Sequence, residues 1–397
     1  MNVRILDVEG RPIKYVAVEY EMLRHAFPFG TCIRADRLAE TLPDPDHPYH
    51  KNILKLFNRG TLGNYYKWRF QEEPDRRALA DAATQWMLKN GLSIHAHVMI
   101  WATFKYGAMP KDVKEKLQNN APDAAEYAVR RSLEHIETVG RRYRGLVDEW
   151  DVVNEHFSEH EITKIANPDV PKEKAPLLLK WFEAARGADP VSRLYINDFG
   201  ILVGDQKKHK DSYEETIRFL LDNNAPLGGI GMQAHYTNGW QRRTPLQLRE
   251  TLDRFGRYDI PIQITEFDMW GKGWGDTKEA RDQAQAEYLE QFYTVAFSHP
   301  AVNGITMWGF WDGQHWTGNA PLFNKDWSPK PALEVYKRLV FQEWWTKGQT
   351  RTDHKGRFQA RGYYGDYIFR IKEGQKIFEA AASFQEESEE IIVTVKK

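Results

Sequence analysis

From about residue 27 the hydrophobic positions follow a repeated cadence: a short apolar run ending in polar residues, then a stretch with helical spacing. The runs are "FPFGTCI" (27–33), "FNRGTLG" (57–63), "LSIHAHVMIW" (92–101), "VDEWDVVNE" (147–155), "RLYINDFG" (193–200), "GGIGMQAHY" (228–236), "PIQITEFDM" (261–269) and "VNGITMWGFWD" (302–312). Amphipathic stretches such as "DRRALADAATQWMLKN" (75–90) and "ARDQAQAEYLEQFYTVAFS" (280–298) lie between them. The first is expected to open on Asp75 as N-cap and to stop at "NG" (90–91). Eight strand–helix units predict an α/β chain folded as a (β/α)8 TIM barrel, its parallel strands buried on both faces. An open doubly wound sheet is the competing fold. Polar residues decide between them, because nearly every run carries them at its C-terminal end: Asn64, His97, Glu155, Asn197, Gln233 with His235, Glu266 and Trp308. In a barrel those ends converge on one mouth.

The chain ends read differently. Residues 349–397 show short strand patterns without a helical period, with "KEGQ" as a hairpin turn, and residues 1–26 match them with "EGRP" as a turn. The expected division is a barrel over 27–347 and a small β-sandwich from 1–26 and 348–397. Tyr363, Tyr364, Tyr367 and Phe369 there are candidate sugar-stacking rings, but Tyr367, Phe369 and Ile371 alternate as core residues would.

Composition narrows the function. The chain of 397 residues has a net charge of -1, which recruits neither nucleic acid nor an anionic membrane by bulk attraction. No apolar run approaches the roughly 20 residues of a spanning helix. One cysteine, Cys32, excludes intrachain disulfides and multi-thiolate metal sites. The opening residues alternate like strands and contain no secretory leader, so upstream sequence is expected to be missing. Fourteen Trp, eighteen Tyr and twenty Phe, several in apparent loops, offer rings that can stack on sugar faces.

Two glutamates stand at the ends of strongly apolar runs, Glu155 in "WDVVNE" and Glu266 in "ITEFD". Either alone is equally the wet end of a strand. Together at one barrel mouth they form the carboxyl pair that glycosidic hydrolysis needs, one protonated to give its proton to the leaving oxygen and one ionised. Asn154 is placed to bond a sugar hydroxyl. His235 and Asp268 suggest an acid–imidazole relay onto Glu266, and His97 and Lys67 add donors. His95, His97 and His235 raise the thought of a metal, but no ligand spacing such as "HExxH" accompanies them, so no metal and no cofactor is expected. Nucleotide-binding glycine loops and a "GxSxG" elbow are also absent from the sequence. The basic stretch "QKKHK" (206–210) reads as a solvated helix entry.

The motifs "HVMIW", "WDVVNE", "LYINDFG", "GIGMQAHY", "ITEFDM", "MWGFWDGQHW" and "PLFNKDWSPKPAL", in this order, resemble glycoside hydrolase family 10, the endo-1,4-β-xylanases, over about residues 27–345. The resemblance implies a retaining hydrolase of xylan or xylo-oligosaccharides working through a covalent glycosyl–enzyme. Glu155 would be the acid/base and Glu266 the nucleophile. Asn154 and Gln233 would line the reacting sugar, and His235 would hold the nucleophile with Asp268 behind it. Asn64, Lys67, His97 and Trp101 would grip the sugar on the non-reducing side, with Trp308 and Trp316 stacking there. Asp151 matches a carboxylate behind the acid/base. The implied enzyme is a monomer that meets a polysaccharide or oligosaccharide, exported or cell-surface by a signal outside this sequence, with a cytoplasmic location as the alternative.

Three positions depart from the family pattern. Gly63 stands where an acid usually precedes Asn64, Ala102 where a His follows Trp101, and Ala96 where a Gly precedes His97. Losing one charge-assisted hydrogen bond costs roughly 1.5–3 kcal/mol, enough to move substrate choice without touching the chemistry. The same mechanism on an aryl-xyloside, a short oligosaccharide or a decorated β-glycan is therefore the alternative. Carbohydrate binding without catalysis is the reading from another class.

Overall fold

The computed structural model describes residues 1–396, and the chain divides into two compact units, Phe29–Leu333 and Met1–Pro28 with Glu334–Lys397. The eight runs form the strands of the first unit: Phe29–Cys32, Arg59–Thr61, Ser93–Ala96, Glu149–Asn154, Arg193–Asp198, Gly229–Met232, Ile262–Met269 and Val302–Met307. Each pairs in parallel with the next, and the eighth returns to the first through Ile305 opposite Phe29, so the sheet closes. The competing open sheet is thereby excluded. Closure explains why these strands read as near-continuous apolar runs: the helices cover one face and barrel side chains the other.

Helix ends refine the sequence reading. The helix placed at 75–90 spans Pro74–Lys89 and takes Glu73, not Asp75, as its N-cap residue. Proline's fixed φ suits the first helical position, which pushes Asp75 into the first turn. The stop is as the "NG" pair suggests, with Gly91 at φ +70°. The long helix Lys278–Ser298 opens on Thr277, whose hydroxyl accepts the Ala280 N–H at 3.2 Å.

In the second unit, Arg357–Gln359, Asn2–Asp7 and Ile391–Val395 form a three-stranded sheet. Lys347–Arg351, Ala17–His25, Gly365–Glu373 and Lys376–Phe384 form a four-stranded one. Val3, Ile5, Val18, Tyr367, Phe369 and Ile371 share one core, while Tyr363 and Tyr364 stay exposed. Glu373 pairs with Lys376 around Gly374, whose φ of +63° suits the tight turn. The division falls at 333/334 and not at 347/348. Residues 334–347 hold onto the terminal strands, through His25 Nε2 to Val340 O at 2.9 Å and Met22 N–H to Thr346 O at 2.8 Å.

A chain of charges fills the barrel interior below the mouth. Arg59 Nη1 meets Glu149 Oε2 at 2.7 Å, and the same oxygen lies 2.9 Å from His95 Nδ1. His95 Nε2 then lies 3.0 Å from Asp151 Oδ1. Burial opposes a charge on His95, but the Asp151 and Glu149 carboxylates outweigh it and lift the imidazole to about 9. A folded value above the ordinary 6.5 means the extra proton stabilises the fold. That contribution is complete below about pH 6.5 and lost as pH rises through about 9. Urea unfolding should show wild-type stability dropping between pH 6 and about 9.5 more steeply than that of His95→Gln; parallel curves would remove His95 as the cause.

Candidate active site

Glu155 and Glu266 sit at the mouth ends of the fourth and seventh barrel strands. Backbone geometry re-aims side chains at this level. Glu155 takes φ +56° and Ala234 φ +65°, left-handed values that a residue with a Cβ adopts only under constraint. The constraint is visible: Glu155 N–H donates to Asn197 O at 2.9 Å, and Glu155 O accepts from Glu159 N–H at 2.8 Å. The Glu266 N–H in turn bonds Gln233 O at 3.0 Å. A register shift between Ile264 and Phe267 turns the seventh strand where Glu266 sits.

Amides tie the two carboxylates together. Gln233 Nε2 donates to Glu155 Oε1 at 2.9 Å and to Asn154 Oδ1 at 3.1 Å. Asn197 Nδ2 donates to the same Asn154 oxygen at 3.1 Å and to Glu266 Oε1 at 3.0 Å. Thr265 fixes that amide by donating its hydroxyl to Asn197 Oδ1 at 2.8 Å. The other Glu266 oxygen lies 3.2 Å from His235 Nε2, and His235 Nδ1 lies 2.7 Å from Asp268 Oδ1. The Trp316 indole donates to Asp268 Oδ2 at 2.7 Å and leaves its ring 59% exposed. Trp308 packs edge-on between His97 (5.3 Å) and His235 (6.4 Å).

The two glutamates have different surroundings. Burial first, then the negative charges of Asp198 and Glu266, push Glu155 up to about 7 against the opposing bond from Gln233. Glu266 is met by donors, Asn197 and His235. Burial opposes a charge on His235, but the Asp268 and Glu266 carboxylates lift it to about 10, so a cation stands beside Glu266. A carboxyl lifted as Glu155 is can hold its proton near neutral pH. A reaction that needs Glu155 protonated loses activity as pH rises. The basic limb of kcat/KM should fall about tenfold per pH unit above about 7, and a profile flat to pH 9 would contradict it.

The remaining sequence candidates gather at the same mouth. Lys67 Nζ donates to Asn64 Oδ1 at 2.8 Å and stands 4.5 Å from the Trp101 ring centre. Burial lowers the Lys67 ammonium, while Glu266 and Glu155 hold it up. Trp101 donates its indole N–H to Glu155 Oε2 at 3.2 Å. His97 Nδ1 lies 2.8 Å from Asp151 Oδ2 and 3.9 Å from Glu266 Oε1. Asp151 thus lies against His95 and His97, and the carboxylates that bear on Glu155 are Asp198 and Glu266.

Two groups carried no role in the sequence reading. Asn197 was visible only as a polar strand end, yet it links Asn154 to Glu266. His209 was folded into the solvated "QKKHK", but it is 3% exposed and lies 3.0 Å from Asp198 Oδ1. Lys210 is also buried, whereas Lys207 and Lys208 face water. Helical spacing carries the signal, because one face of that first turn turns inward.

Comparisons agree with this geometry. The model of Glycosyl hydrolase family 10 matches residues 20–338. Anti-sigma-I factor RsgI6 of Acetivibrio thermocellus is 28% identical, over 94% of this chain and 44% of its own length. Endo-1,4-beta-xylanase 1 of Arabidopsis thaliana is 27% identical, over 98% of this chain and 38% of its own length. The chain therefore spans under half the length of these two curated relatives. Beta-1,4-xylanase of Dictyoglomus thermophilum is 28% identical over 73% of this chain and 84% of that protein. Among solved structures, native xylanase 10B of Thermotoga maritima superimposes with a TM-score of 0.66 at 25% identity, covering 80% of this chain and 95% of that one. With a closed eight-stranded barrel, two opposed glutamates at its mouth and a matching family model over most of its length, the chain belongs to glycosyl hydrolase family 10.

Proposed function

We propose that this protein hydrolyses β-1,4-xylosidic bonds within xylan or xylo-oligosaccharides, with retention, by double displacement. The observation that carries the reading is the unequal carboxyl pair: Glu155 lifted to about 7 beside a Glu266 surrounded by donors. Glu266 attacks the anomeric carbon while Glu155 gives its proton to the departing oxygen, which leaves a glycosyl ester on Glu266. Forming the ester removes the Glu266 charge, one of the causes that keep Glu155 protonated. Glu155 then ionises and takes a proton from the water that cleaves the ester. Retention calls for carboxyls about 5–5.5 Å apart. Asn154, held by two amides, faces the reacting sugar, and Trp308 and Trp316 offer ring surface beside it.

The names of the relatives support the substrate, as do solved structures of family members with xylobiose and with xylopentaose. Gly63 favours a second reading, the same mechanism on another β-glycoside. A Cβ there would lie 2.9 Å from Cys32 Sγ, so the sulfur fills the space a longer side chain would take. A relative named as an anti-sigma-I factor makes sugar binding without turnover the reading to exclude. A panel of polysaccharides and oligosaccharides with product analysis separates the three. Short xylan oligomers support the first reading, and turnover of only aryl glycosides or another glycan supports the second. Binding with no product supports the third.

A further inference from the structure

Trp101 is almost covered, at 9% exposed, although it stands at the mouth. Lys67 lies over its ring, and the Tyr106 ring lies parallel to it, with centroids 5.1 Å apart and planes 9° apart. Tyr106 itself is 70% exposed. It takes φ +57° and is followed by Gly107 at φ +60°, a pair of left-handed residues that turns the phenol onto Trp101. Such a conformation persists only where the surroundings impose it. Here the loop is pinned on both sides. Before Tyr106, Lys114 Nζ donates to Phe104 O at 2.7 Å and Lys105 Nζ lies 3.3 Å from Glu159 Oε1. After it, Arg69 N–H bonds Ala108 O at 3.1 Å. Gly107, Met109 and Pro110, with charged residues such as Arg69, Glu73 and Lys111, line an adjoining cleft of about 720 Å³.

A large ring held rigid with most of its surface in water is what a flat apolar ligand face needs, and the C–H face of a pyranose is one. We propose that Tyr106 is the platform of a further sugar-binding position on the Asn64 and Lys67 side of the cleft. A β-linked chain reaches it only when long enough to run past Trp101. The proposal rests on the reading of the protein as a xylan-type hydrolase. Because Tyr106 stacks on the indole that bonds Glu155, a sugar there also steadies the hydrogen bond to the proton donor.

The test is kcat/KM on xylo-oligosaccharides of increasing length for wild type, Tyr106→Ala and Tyr106→Phe. Wild type should gain with length. Tyr106→Ala should lower the long-to-short ratio by roughly five- to tenfold, as loss of one stacking contact implies, while Tyr106→Phe keeps the ratio. Affinities of Glu266→Ala for a long and a short oligomer, with and without Tyr106→Ala, should show the same change without turnover. An unchanged ratio, or an equal loss at every length, overturns the platform while the hydrolase reading stands. A wild type that cleaves no member of the series overturns that reading and the platform with it.

Discussion

Glu266→Ala should lose turnover by on the order of 10⁵-fold on every glycoside the wild type cleaves, because removing a nucleophile removes the covalent route itself. The structure makes this specific. Asn197 and His235 both direct their donors at Glu266, and Asp268 and Trp316 hold the histidine. Alanine leaves that apparatus in place with nothing to present. Thermal unfolding near the wild-type temperature would show that the loss is chemical, and oligosaccharide affinity should remain measurable. Full turnover by Glu266→Ala would remove it from the mechanism.

Glu155→Ala should behave differently, and the difference is diagnostic. General acid catalysis contributes roughly 10²- to 10⁴-fold, most where the leaving group needs a proton. On xylan the variant should lose activity near the upper end of that range. On an aryl glycoside whose phenolate leaves unaided, ester formation should survive and its hydrolysis should stall for want of a base. A burst of phenolate equal to the enzyme concentration, followed by a slow phase, is the expected trace. An added small anion such as azide should speed the slow phase by attacking the ester directly. The basic limb near pH 7 should vanish with the carboxyl. Equal losses on both substrates, without a burst, would place Glu155 outside proton transfer.

Much of the fold was legible because a closed parallel sheet imposes a pattern on every strand. All eight apolar runs became barrel strands, and their polar ends share one mouth. Glu155 and Glu266 were findable for the same reason, each a carboxylate after residues that must be buried. What escaped the sequence was the wiring. Asn197 and Asn154 are 43 positions apart and Gln233 and Glu155 are 78, distances over which periodicity says nothing about who meets whom. Asp151 and Asp198 show the cost. Asp151 lies inside its apolar run and Asp198 at the end of a strand, and only the three-dimensional arrangement reveals that Asp198 bears on the acid while Asp151 lies against His95 and His97. Tyr106 escaped for a local reason: a loop with two left-handed residues has no hydrophobic period to read.

The central claim is that Glu266 becomes covalently joined to the sugar while Glu155 moves the proton. Incubating the protein with an activated 2-deoxy-2-fluoro-β-xylobioside, which forms the ester readily but releases it slowly, and mapping the labelled peptide by mass spectrometry tests it most directly. The account predicts one glycosyl adduct per chain, on the peptide containing Glu266 and at that residue. An adduct on another side chain, or none from a protein that hydrolyses the matching unfluorinated glycoside, would contradict it.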